Sequence, residues 1–190
     1  MSDKEDASGT YGWASIGYLS STVIAGSVSS ESDLSGTWKL LWTPTHLYML
    51  AFITDDALRN DSSDPWQDDS VDLYIDGDNS KATSYTADDF QFIFGWNDTS
   101  VVEPHGKSTA GISFTTLAVA GGYQVEARIP WSTINASAAT VGRRIGLDVH
   151  ANDDDDGGAR DGKLAWSAQV DRSWTDPSIF RNARLIQCSM

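Results

Sequence analysis

A chain of 190 residues with 40% hydrophobic and 11% aromatic side chains is long and apolar enough to bury one core, and excludes a disordered tail despite its Ser/Asp-rich stretches. Its net charge of −14, from 27 acidic and 13 scattered basic residues, leaves no basic stripe to neutralise a phosphate backbone, so nucleic acid and anionic membranes are poor partners. No apolar run approaches the ~20 residues of a membrane span, and the single Cys188 excludes an internal disulfide and a Cys-built zinc site.

In chain order, "MSDKEDASGT" lacks the charged-then-apolar layout of a signal peptide and is expected to be a flexible segment, residues 1–10, of a piece excised from a longer protein. One domain then runs from Tyr11 to Gln187. Trp38, Leu40 and Trp42 alternate with polar or neutral neighbours, and "HLYMLAFI" from His46 to Ile53 is apolar on both faces, as a central strand is. Period-two sets follow at Val71/Leu73/Ile75, Phe90/Phe92/Phe94/Trp96, Ile112/Phe114, Tyr123/Val125/Ala127/Ile129, Ile145/Leu147/Val149/Ala151 and Leu164/Trp166/Ala168/Val170. Turn residues separate them: Gly77-Asp78-Asn79, Gly121-Gly122 and Asp156-Gly157-Gly158. The one helical turn expected is "PWSTI", Pro130 to Ile134. The pattern predicts an all-β fold, an antiparallel β-sandwich of jelly-roll or immunoglobulin-like kind.

Spacing sets several chemistries aside. "GKST" at Gly106–Thr109 lacks the earlier glycine of a phosphate loop, since position 101 is Val. His46, His105 and His150 are too far apart for a helical zinc pair, and no Gly-x-Ser-x-Gly elbow is present. With 27 acidic residues, accidental carboxylate pairs are guaranteed and none stands out, so most Asp residues read as turn or solvated surface.

Asn152, Asp154 and Asp156 put oxygen side chains at alternate positions before Gly157, the first half of a calcium loop; Lys163 at the twelfth position excludes an EF-hand. A structural Ca²⁺ there weighs evenly against a bare acidic turn, with Asp76 and Asp78 as a weaker second candidate. Trp38, Trp42, Trp96, Trp131 and Trp166 lie in or beside strand patterns and belong to the core. Trp66 and Trp174 have no such pattern, and each stands beside a proline or Asp-Pro in a polar segment, which predicts exposure with a purpose. The alternate set of strand residues, Asp72, Tyr74, Gln91, Gln124, Glu126, Arg128, Asp148 and His150, reads as the hydrogen-bonding outer face of one sheet. Rings above such a face suit a sugar, because an aromatic plane covers the C–H face of a pyranose while polar side chains pair with its hydroxyls.

Six segments in order, "GTWKLLWTPTHLYMLAFITDD", "DPWQDDSVDLYIDGDNSK", "YTADDFQFIF", "GGYQVEARIPWSTI", "GRRIGLDVHANDDDDGGARDGKLAW" and "SWTDPSIFRNARLI", resemble family 9 carbohydrate-binding modules over nearly the whole chain. The resemblance implies a calcium-bearing sandwich attached to a secreted, bacterial polysaccharide-degrading enzyme. It implies a clamp of Trp66 and Trp174, with the family's polar positions falling on Asp72, Ile93, Gly95, His150 and Asp171. The expected function is non-catalytic, monomeric binding of poly- or oligosaccharide of β-glucan or xylan type. Three competitors stay open: a b-type haem domain ligated by Met49 and His150, a glycan-active enzyme using Asp/Glu pairs, and a structural adhesion module.

Overall fold

The structure, a computed structural model, describes residues 12–13, 17–20, 22–134 and 139–186, so the expected flexible segment 1–10 lies outside it. Twelve strands are described: β1 (Gly12–Trp13), β2 (Gly17–Leu19), β3 (Val23–Gly26), β4 (Leu34–Trp42), β5 (His46–Asp55), β6 (Ser70–Asp76), β7 (Asp89–Gly95), β8 (Ser113–Val119), β9 (Gly122–Pro130), β10 (Arg144–Asp153), β11 (Gly162–Ala165) and β12 (Arg181–Arg184). Helix α1 (Trp131–Ile134) is the expected helical turn. The first sheet runs β1-β4-β5-β9-β8 with β2 also on β4; the second runs β3-β11-β10-β6-β7 with β12 also on β10. The fold is the expected antiparallel sandwich.

Alternation explains why the two sheets face each other. Met49, Ala51 and Ile53 of β5, Val125 and Ala127 of β9, Leu73 of β6, Phe92 of β7 and Val149 of β10 all point inward into one core. Trp38 of the first sheet meets Trp166, just after β11, edge to face, with centroids 4.8 Å apart. Trp42 and Trp131 are buried, each indole N–H donating to a carbonyl, of Ile186 and Thr43. The tight β8–β9 turn requires glycine: Gly122 has φ +144°, and a Cβ there would stand 2.0 Å from the Ile53 carbonyl oxygen.

Three expectations change. β9 pairs with β5 in the first sheet, so Gln124, Glu126 and Arg128 lie on the opposite side of the sandwich from Asp72 and Gln91. The strand expected from Leu164 to Val170 stops at Ala165, because the Asp148 carboxylate takes the backbone N–H groups of Ser167 and Ala168, both at 3.0 Å, and pulls the chain out of the ladder. The outer face of β6 and β7 is buried rather than wet. Loops cover it: the Phe180 ring lies 5.6 Å from Tyr74, and Val102 bridges to Ile93.

Candidate functional site

A cleft of about 590 Å³ opens beside the covered face of the second sheet, and both Trp66 and Trp174 line it. Trp66 is half-buried in the loop between β5 and β6; Trp174, on the loop after β11, is 52% exposed. The second loop is held from several sides. Asp148 takes its backbone as described, the Tyr85 hydroxyl donates to the Ser173 carbonyl at 2.8 Å, and the Trp174 indole donates to the Asp171 carbonyl at 3.2 Å. Burial drives the Tyr85 hydroxyl well above its ordinary pKa, so it stays protonated and donating. Its ring stacks on His105, another wall residue, at 3.8 Å. Burial lowers the pKa of His105 and favours its neutral form.

Beneath the cleft lies a polar network built around Asp72, which has no exposed surface. Its Oδ2 accepts from the Tyr74 hydroxyl at 3.0 Å and the Gln91 amide at 3.3 Å, and its Oδ1 from the Asn152 amide at 3.1 Å. Lys163 Nζ stands 3.7 Å from Asp72, 3.4 Å from the Tyr74 oxygen and 3.1 Å from Asp171. Arg160 donates to Asn152 at 2.9 Å and to Asp171 at 3.4 Å. Gln91, Arg160, Lys163 and Asp171 reach the cleft lining. Donors and acceptors therefore line the same cleft as two indoles, a mix that suits a ligand with apolar faces and a hydroxylated edge.

Of the residues singled out in the sequence, Trp66, Trp174, Gln91 and Asp171 come together in the cleft, with Asp72 just below. His150 does not line it: the side chain is wholly buried, its Nε2 3.1 Å from Asp148 and its ring 4.5 Å from Tyr74. Ile93 is covered by its bridge to Val102, and a Cβ on Gly95 would meet Asp98 at 2.3 Å, so neither position offers a polar contact. Arg160 was missed, and Lys163 could not be placed from the sequence. Pairing of Lys163 with Asn152 puts it on the same face as Asp72, a placement that follows from alternation once β11 is known to pair with β10.

At one end of the sandwich the chain gathers its acids. Ligand atoms of Asp55, Asp69 and Asp153 lie within 4.8 Å of one another, as do those of Asp33, Asp153 and Asp155, and of Asp154, Asp156 and Asp161. Asp55 Oδ2, Asp154 Oδ2 and both oxygens of Asp153 are buried with no hydrogen-bond partner among the described residues. Burial, and then the neighbouring carboxylates, raise Asp69 and Asp153 to about 8; burial foremost raises Asp55 to about 6. Asn152 stands apart from these acids, its amide and carbonyl committed to Ser70, Asp72 and Arg160. Asp76 and Asp78 accept the backbone N–H groups of Ser80 and Lys81 and so close a hairpin; neither belongs to a three-acid group among the described residues.

The family model described as carbohydrate family 9 binding domain-like matches residues 6–188. The chain belongs to that family. Family 9 modules from Caldicellulosiruptor kristjanssonii share its fold: one solved with cellotriose has a TM-score of 0.77 at 24% identity, covering 90% of this chain and 84% of that one, and one solved with glucose has 0.76 at 25%, covering 88% and 85%. Among curated relatives, endo-1,4-beta-xylanase A of Thermotoga neapolitana is 40% identical over 160 residues, which are 84% of this chain and 15% of the enzyme. Exoglucanase XynX of Acetivibrio thermocellus is 35% identical over 160 residues, 83% of this chain and 14% of the enzyme.

As a family 9 module the chain is a non-catalytic carbohydrate-binding domain. The haem alternative fails on geometry: Met49 points into the core from the first sheet, whereas His150 projects from the outer face of the second, beside Asp148. Raised carboxylates at the acidic end make a linkage prediction. Their folded pKa values lie above the ordinary 3.8, so without cations their contribution to stability is whole below that value and is lost as pH rises through about 6 and then 8. In chelating buffer the melting temperature of this family 9 module therefore falls between about pH 5 and 8; a melting temperature that climbs across the same window would contradict the assignment.

Proposed function

We propose that this module binds β-glucan or xylan-type chains by sandwiching a sugar ring between Trp66 and Trp174, and so keeps an attached secreted, bacterial enzyme at its substrate. One observation carries the reading: two indoles line a single cleft whose floor is a connected set of donors and acceptors. Gln91, Arg160, Lys163 and Asp171 meet the hydroxyls, and Asp72 holds Gln91 and Lys163 from below. Each neutral hydroxyl contact contributes about 1 kcal/mol, so affinity rests on the two rings plus several such contacts. Cellotriose and glucose in the related structures are ligands of the same chemistry. Tethering raises the local concentration of the enzyme at the polymer without any chemical step in the module itself.

Calcium belongs to the same reading. Asp55 closes β5, Asp69 precedes β6 and Asp153 ends β10, so a cation shared by them ties the two sheets together. Hard oxygen ligands suit Ca²⁺, and the unpartnered oxygens of Asp55 and Asp153 are available as donors. The bound ion would hold these carboxylates ionised and fix the loop that runs from Asp55 toward Trp66.

Affinity electrophoresis through gels containing soluble β-glucan or xylan checks the clamp. Wild type is expected to be retarded, and the Trp66→Ala/Trp174→Ala variant to run as in an empty gel; equal retardation of both would sink the clamp. Calorimetric titration of chelator-stripped protein with Ca²⁺ checks the cation. Saturable binding that raises the melting temperature, and that weakens in Asp153→Asn, is expected; no heat and no thermal shift would remove calcium from the account.

A further inference from the structure

The chain has 27 acidic and 13 basic residues, yet its cleft lining holds two formal cations, Arg160 and Lys163, against one carboxylate, Asp171. Both cations are tied to that carboxylate. Lys163 Nζ lies 3.1 Å from Asp171 Oδ1, and Arg160 Nη2 lies 3.4 Å from Asp171 Oδ2. Below them Asp72, 3.7 Å from Lys163, is already surrounded by Tyr74, Gln91 and Asn152 and has no exposed surface. The four charges sum to zero. Of the two carboxylates only Asp171 reaches the cleft, its side chain 24% exposed, while the Lys163 side chain is 3% exposed and cannot regain water if its partner is lost.

This arrangement treats neutral and anionic ligands differently. A sugar hydroxyl can accept from Lys163 or Arg160 and donate to Asp171, so it enters the existing network without breaking it. A carboxylate on the ring can only accept. It competes with Asp171 for the same N–H groups and meets a like charge in a partly desolvated space. We infer that Asp171 sets the charge selectivity of the cleft, holding Arg160 and Lys163 so that uncharged sugar rings are admitted and hexuronic acids are turned away. The inference rests on the proposed reading of the cleft as the sugar site. It makes Asp171 a specificity-determining residue: Asp171→Asn keeps the shape and leaves Arg160 and Lys163 balanced by Asp72 alone, one net positive charge for an anionic ligand.

The test is titration of tryptophan fluorescence with glucose and, separately, glucuronate at neutral pH, using the whole chain and melting curves as a control for folding. Wild type is expected to favour glucose over glucuronate by about tenfold or more, roughly one charge-assisted hydrogen bond. Asp171→Asn should shift that ratio toward glucuronate by about the same factor, and the gain should shrink as salt is added. Arg160→Gln, which removes a cation and leaves Asp171 in place, should move the ratio the other way. A ratio that Asp171→Asn leaves unchanged, or equal binding of both sugars by wild type, overturns the inference. Failure of wild type to bind either sugar, together with free passage through polysaccharide gels, overturns the sugar-site reading and this inference with it.

Discussion

A carboxylate with no access to water, Asp72, governs the face on which the cleft is built. Desolvating it costs several kcal/mol unless its lone pairs find donors, and the sheet supplies these from Tyr74 on its own strand, Gln91 on β7 and Asn152 on β10, with the Lys163 ammonium of β11 as ion-pair partner. Asn152 in turn accepts from Arg160 and so extends the network to the cleft lining. The cleft floor is therefore organised before any ligand arrives, so little ordering cost falls on binding. Removing one member of such a network leaves a buried charge uncompensated, a loss of about 3–5 kcal/mol, so the floor should tolerate substitution at its rim, Asp171 and Arg160, better than at its centre.

The same economy of charge runs through the molecule. Acids at the end of the sandwich crowd one another and leave several buried carboxylate oxygens without a donor, whereas acids under the cleft are matched by cations. The first group suits a cation from solution; the second has its cations in the chain. A negatively charged domain can thus carry a neutral recognition surface, because its basic residues are placed beside the acids that the site needs. The Trp174 wall meets the second group at the Asp171 carbonyl, which accepts its indole N–H. It hangs on Asp148, which takes two backbone N–H groups of its loop, and on Tyr85, which ties Ser173 to the neighbouring loop.

Alternation made much of this legible. It separates inward from outward side chains on each strand, so the core and the polar character of Asp72, Tyr74 and Gln91 could be read from the residues, as could the five core tryptophans. It does not say which strands share a sheet. Gln124, Glu126 and Arg128 were therefore grouped with Asp72 although β9 hydrogen-bonds to β5, and Met49 was imagined within reach of His150 across a sheet that separates them. Nor does alternation reveal what covers an outer face: His150 points outward from the core and is still wholly buried beneath a loop. Lys163 lies in a strand of four residues, too short to show a period, and Arg160 in a loop, so the two cations of the site carried no local signal. Of the alternate oxygens at 152, 154 and 156, the last two gather in the acidic loop with Asp161, whereas strand pairing turns Asn152 toward Asp72.

The proposed binding depends on a sugar ring lying between Trp66 and Trp174 above the Asp72 network. A crystal structure of the module with cellotriose tests it most directly. A ring stacked on both indoles, with hydroxyls in hydrogen-bond reach of Lys163 and Asp171, is expected. A ligand seated elsewhere, for example on the outer face of the first sheet, with the cleft filled only by water, would contradict it.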